Sequence, residues 1–186
     1  GDGQDDFLGF EPAGLVAPGH PVVPGVADVP EEIGRGLDRG SGLMLIAVCC
    51  DRGAPGSTTT ALALGVSSPE PAIVVEVDPY GGDLALRCEA PGGRGEVFPP
   101  TPTVLTLASE ARTMLSPGLV ASKAHEFTQS TRIVPGHFAA EQAAGVKTWA
   151  PLAQALRDSA SRVVADLGRI HASSPTIPVA AAADVV

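Results

Sequence analysis

From residue 51 the chain reads Asp-Arg-Gly-Ala-Pro-Gly-Ser-Thr-Thr-Thr, a glycine-bearing turn followed by a run of hydroxyl side chains. Such a turn points backbone N–H groups into one concavity. A helix opening behind it adds partial positive charge, so the pair favours phosphate oxygens. A hydroxyl at the start of that helix can ligate the magnesium that bridges outer phosphates, and here that hydroxyl is Thr58. Two acids, Asp78 and Asp166, end later apolar runs. Ligands of open α/β sheets bind outside the carboxyl ends of the strands, so both acids are expected to converge on the crevice beside the turn. Plainer readings stay open. Gly53, Pro55 and Gly56 can simply make a tight turn, the hydroxyls can cap the helix, and Asp78 and Asp166 can shape turns before Pro79 and Leu167-Gly168.

The elements that must position these residues follow from the pattern. Residues 43–50 form a continuous apolar run of strand length, the kind a parallel sheet buries on both faces. A helix is expected from Ser57 to a stop at Gly65, and a second strand over 71–78. Strand, turn, helix and strand make a βαβ unit, the building block of parallel α/β sheets. Further on, 103–115 has apolar residues near helical spacing, and Thr131-Arg132-Ile133-Val134 reads as a strand stopped by Pro135-Gly136. Helices are expected over 138–144 and 151–160, and a strand over 162–166. Residues 183–186 read as the start of a strand, which suggests a fold continuing beyond Val186.

Charge divides the chain. Residues 1–41 hold eight acids against Arg35 and Arg39, with nine glycines, five prolines and no sustained period. This segment reads as an acidic tail or linker with one short helical turn around 31–37, and residues 42–186 as the folded domain. The net charge of −9 argues against a dedicated nucleic-acid binder. No apolar run approaches the roughly 18–20 residues of a membrane helix. Cys49 and Cys50 are adjacent and so point to opposite faces of a strand, with Cys88 far off; a reducing cytoplasm and buried small side chains fit them better than a disulfide or metal site. The four histidines show no ligand spacing; His137 reads as a loop residue, and Tyr80 as an exposed turn aromatic.

Residues 52–59, Arg-Gly-Ala-Pro-Gly-Ser-Thr-Thr, resemble the deviant phosphate loop K-G-G-x-G-K-T-T of the ParA/MinD-like P-loop ATPases. The stretch Glu76-Val77-Asp78-Pro79-Tyr80-Gly81 is similar to that family's D-x-D-P-x-G switch. Val163-Val164-Ala165-Asp166-Leu167-Gly168 resembles its second switch, and Ala182-Ala183-Asp184-Val185-Val186 the A-D-x-V-V strand that follows. The resemblance implies an α/β fold with a mostly parallel sheet between helices, a three-layer P-loop NTPase architecture of which 43–186 is the N-terminal portion. It implies ATP and magnesium as ligands. Arg52, Gly53, Ala54, Pro55, Gly56, Ser57, Thr58 and Thr59 would lie around the phosphates, Thr58 and Asp166 would manage the metal, and Asp78 would orient the attacking water. A homodimer, or a place in a larger protein complex, is implied as well. The departures are specific: the phosphate-binding lysine position is Ser57, the dimer-crossing lysine position is Arg52, the second loop glycine is Ala54, and the first switch acid is Glu76. Lys123 and Lys147 are the only lysines, and neither is near the loop in sequence. Weak or no hydrolysis is therefore expected. A pseudo-ATPase scaffold that has lost nucleotide binding is the alternative, and a small P-loop kinase a third.

Overall fold

The computed structural model describes residues 44–51, 56–91, 98–137 and 139–186. The 1–41 segment, Arg52, Gly53, Ala54 and Pro55 lie outside the described residues. Strands Leu45–Cys50 (β1), Ala72–Glu76 (β2), His125–Glu126 (β3), Thr131–Val134 (β4) and Arg162–Arg169 (β5) form one sheet in the order β1-β5-β2-β4-β3. All pairings are parallel except the short β3–β4 ladder. β2 and the middle of β5 are buried on both faces, as their continuous hydrophobicity requires, whereas Ile46 and Val48 of β1 are only partly buried.

Alternation assigns each strand residue to a layer. On one face Leu45, Ala47, Ile73, Val75, Val163, Ala165 and Val134 pack against helices Val104–Ala111 (α3), Leu119–Ser122 (α4), Ala150–Arg157 (α6) and Ile177–Ala182 (α7). On the other, Val74, Ile133 and Val164 pack with Ala61 of helix Ser57–Val66 (α1) and with Leu84 and Ala85 of helix Leu84–Arg87 (α2). A short helix, Ala140–Ala143 (α5), joins the first face through Ala143. The α1 connection carries the chain from β1 across to β2, whereas α5 and α6 bring it back from β4 to β5. The two connections lie on opposite faces, as a single crossover hand demands.

β5 enters between β1 and β2, and the chain then leaves through α7 to the far side of β1. There Val185 pairs in parallel with Ile46, and Asp184 Oδ2 accepts the Leu45 N–H at 2.8 Å. The expected start of a strand at 183–186 therefore lies on the outer edge of β1. Connections depart from β1 and β5 in opposite directions, so a crevice opens between their carboxyl ends, at the topological switch point.

Several boundaries differ from expectation. α1 runs one residue past Gly65, which has no Cβ to collide with Val74 Cγ2 and whose carbonyl accepts the Thr131 hydroxyl at 3.2 Å. α3 stops at Ala111 rather than 115, because the Thr113 hydroxyl and N–H both turn back to the Glu110 carbonyl. Among the described residues, no helix is long and apolar enough to cross a membrane.

Candidate functional site

The acids are placed by the sheet register. Glu76 of β2 sits opposite Asp166 of β5, and Val48 of β1 lies on Asp166's other side. Val74 and Val164, two residues earlier, belong to the α1-side cluster. Glu76 and Asp166 therefore project from the α1 face, beside the helix that opens after the turn. Asp166 does not end its strand, contrary to the sequence reading: β5 continues to Arg169 through a bulge, in which Val48 pairs with Asp166 but Cys49 with Gly168. Gly168 has φ +59°, the left-handed region that glycine enters most easily, and its N–H donates to Asp166 Oδ1 at 3.0 Å. Asp78 likewise lies two residues beyond β2 rather than at its end. Its carboxylate rests against Gly168 Cα, where a Cβ would overlap Asp78 Oδ2.

The turn's described part is Gly56, Ser57, Thr58 and Thr59. Helix α1 starts on Gly56, at φ 122°, and no side chain caps it. The capping reading of the hydroxyls thus fails, since Ser57 and Thr58 occupy helical positions past the cap. Both hydroxyls instead approach Asp166 and favour its charged form, yet Asp166 Oδ2, wholly buried, has no partner within hydrogen-bonding distance among the described residues. Thr59 is exposed. The structure therefore brings Ser57, Thr58, Asp78 and Asp166 together, and leaves one buried carboxylate oxygen unsatisfied among them. Hard oxygen donors of this kind suit a divalent cation such as magnesium.

Burial pushes the Asp166 carboxyl above the ordinary aspartate range, against the lowering effect of Thr58, Gly168 and Ser57, and Asp83 adds to the rise. Asp78 is raised first by burial and further by Asp166 and Asp83, with the Tyr80 N–H and His137 opposing. Glu76 is raised by burial and by Asp166, although three backbone N–H groups oppose the rise. Since each folded value exceeds the unfolded one, the native state holds more protons than the unfolded chain just above pH ~4. Stability from these groups is greatest at low pH and declines as pH rises through their raised values. Denaturant midpoints are expected to be higher at about pH 5 than at pH 7, with the difference reduced in Glu76→Gln.

Two residues of this region escaped the sequence reading. Glu76, noted there only as a departure, is 2% exposed and accepts the N–H groups of Asp83 (2.8 Å), Leu84 (3.1 Å) and Gly136 (2.8 Å). His137 is not an ordinary loop residue: it is 1% exposed, its Nε2 faces the Pro79 carbonyl at 3.4 Å, and its own carbonyl accepts the Gly82 N–H at 2.7 Å. Together they fasten the 78–84 loop to the loop after β4. The available signal was an acid two residues before Asp78 in an otherwise apolar strand, a position that β2's two-sided burial makes costly without partners. Cys49 and Cys50 are half-buried free thiols, Cys50 Sγ facing the Gly168 carbonyl at 3.6 Å.

Gly168→Ala is expected to lower stability by about 2 kcal/mol, from the left-handed backbone and the collision with Asp78. Thermal unfolding measures the loss, and Gly118→Ala, where a Cβ meets nothing, is the control.

No family model matches the sequence, and no curated protein matches it. Among solved structures the fold is similar to that of a ParA family ATPase from Chlorobium tepidum TLS, with a TM-score of 0.55 at 12% identity. The match covers 76% of this chain and 57% of that one, so this chain spans little more than half of its neighbour. The likeness establishes a ParA-like, P-loop NTPase-like α/β fold.

Proposed function

We propose that this chain is a nucleotide-binding switch domain that takes magnesium-ATP at the β1–α1 turn, hydrolyses it slowly or not at all, and acts by assembling with a second copy or with partner proteins. The observation that carries this reading is the buried Asp166 carboxylate at the switch point of the sheet, whose Oδ2 has no hydrogen-bond partner among the described residues and whose charged form the Thr58 and Ser57 hydroxyls favour. In this reading Thr58 and Asp166 hold the metal directly or through water, residues 52–59 receive the phosphates, and Asp78 orients the attacking water. Bound magnesium supplies the positive charge that neutralises phosphate oxygens. Slow turnover follows from Ser57, which brings no charge to the position where a lysine would stabilise the transferring phosphoryl group. A cytoplasmic setting goes with three free thiols, and no nucleic-acid partner is proposed for so acidic a chain.

Calorimetric titration with ATP in magnesium, beside magnesium alone, tests the reading. Saturable binding that Thr58→Ala weakens at least tenfold is the expected result. No binding by the parent removes the nucleotide from the proposal.

One observation favours the second reading, a pseudo-ATPase scaffold. No lysine lies in the turn, and of the chain's two lysines Lys123 is paired with Glu110 at 2.7 Å while Lys147 belongs to the connection between α5 and α6. A scaffold keeps its partner assembly in Thr58→Ala, whereas a nucleotide-driven switch loses it.

A further inference from the structure

We propose that the hydrogen bond between Tyr80 and His171 is a latch, fastening the loop that carries Asp78 to the loop that follows β5 and so holding Asp78 beside Asp166. The latch stands on its own geometry; its consequence for ligand binding rests on the function proposed above.

The Tyr80 hydroxyl lies 2.9 Å from His171 Nε2, although the residues are 91 apart in sequence and Tyr80 is 56% exposed. An aromatic side chain with so much surface in water gains little from burial at this spot, so the polar contact at its tip is what locates it. The direction of the bond follows from the imidazole's other side. Ser173 donates its backbone N–H to His171 Nδ1 at 3.3 Å, and its hydroxyl lies 3.0 Å from the same nitrogen. A backbone N–H can only donate, so Nδ1 is an acceptor and the neutral ring carries its proton on Nε2, which donates to the Tyr80 oxygen. The turn that presents the ring is itself tied, the His171 N–H to Ser174 Oγ at 2.9 Å and the Ser174 N–H to the His171 carbonyl at 2.8 Å.

Motion of Tyr80 is transmitted to Asp78, because the Tyr80 N–H donates to Asp78 Oδ1 at 2.8 Å. The Asp78 carboxylate in turn rests against Gly168, two residues past Asp166, so the position of this loop sets the spacing of the two acids. Behind the bond is an apolar pocket of about 280 Å³. Pro79 and Tyr80 line it from one loop, Pro175 from the other, with Val146 and Trp149 among its remaining walls. Release would part these walls.

Amide hydrogen exchange at Tyr80, Gly81 and Ser173, read by NMR on the ligand-free chain, decides the proposal. Tyr80→Phe and His171→Ala are each expected to speed exchange in both loops about three- to tenfold, the range a single hydrogen bond supports. The double variant should be no faster than the faster single variant, because both changes remove the same bond. Unchanged exchange at Ser173 in Tyr80→Phe, or additive effects in the double variant, overturns the latch. Tyr80→Phe removes one exposed oxygen, so the fold survives for the comparison. Magnesium-ATP titration of the same variants separates the two proposals. A parent that binds, with variants three- to tenfold weaker, supports both. Equal affinity in parent and Tyr80→Phe overturns the holding of Asp78. A parent that does not bind defeats the nucleotide reading, while exchange still decides the latch.

Discussion

Glu76→Ala is expected to destabilise the fold by about 3–5 kcal/mol, the largest stability loss of any single substitution near the crevice. The carboxylate is the shared acceptor for three backbone donors, two at the start of α2 and one on the loop after β4. Each buried N–H left unsatisfied costs about 1–3 kcal/mol, and the vacated space adds a cavity term. Relief of a carboxylate whose ionisation is already disfavoured by burial offsets part of this sum. Two glycines testify to the fit, since a Cβ at Gly82 or Gly136 would run into the Glu76 carboxylate. Glu76→Gln should fall between parent and alanine. Its amide offers one oxygen where the carboxylate offers two, and its NH2 faces a backbone donor. Glu76→Asp tests reach: shortening by one methylene withdraws the acceptor from Gly136 or from Leu84, at a cost of about 1–2 kcal/mol. Denaturant unfolding gives all three values, and an order other than Ala > Gln > parent in destabilisation would contradict the hub.

What could be read from the residues was whatever depends on neighbours in the chain. The strand at Thr131–Val134, the βαβ unit of β1, α1 and β2, and the α/β class all rest on local runs and punctuation, and the structure has them. Helices α2, α4 and α7, with four to six residues each, were not anticipated, because elements that short carry no period and form only when tertiary packing stabilises them. The same limit applies within the crevice. Asp166 was visible as an acid in a β-branched run, but the bulge at Gly168 that carries the strand past it is set by register against β1. The burial of His137 depends on Pro79 and Gly82, and the Tyr80 contact on His171, partners that local spacing cannot bring together. Glu76 shows the difference most sharply. As a sequence feature it was a substituted switch acid; in three dimensions it is the anchor of the loop whose next acid, Asp78, is the one expected to do chemistry.

Ser57→Lys is expected to raise affinity for magnesium-ATP by at least tenfold, and by up to roughly a thousandfold. A unit charge about 4 Å from a phosphate oxygen is worth about 4 kcal/mol at an effective dielectric near 20, and each 1.4 kcal/mol is a factor of ten. The full gain is discounted because the new ammonium also meets Asp166, whose Oδ2 has no partner among the described residues and which already feels the Ser57 hydroxyl. In the ligand-free chain that pairing lowers the Asp166 proton affinity, so the pH dependence of stability should weaken in the same variant. Ligand binding then has to share the lysine between phosphate and carboxylate, which sets the lower bound. Titration of parent and Ser57→Lys at two salt concentrations separates the outcomes, since a gain of Coulombic origin shrinks with added salt. Binding in both, tighter with lysine, is the result expected of a weakened switch. Binding only with lysine identifies a scaffold whose crevice kept its shape and lost its charge. Failure in both means that the turn between β1 and α1 does not receive phosphate, and the carboxylates beside it serve the fold alone.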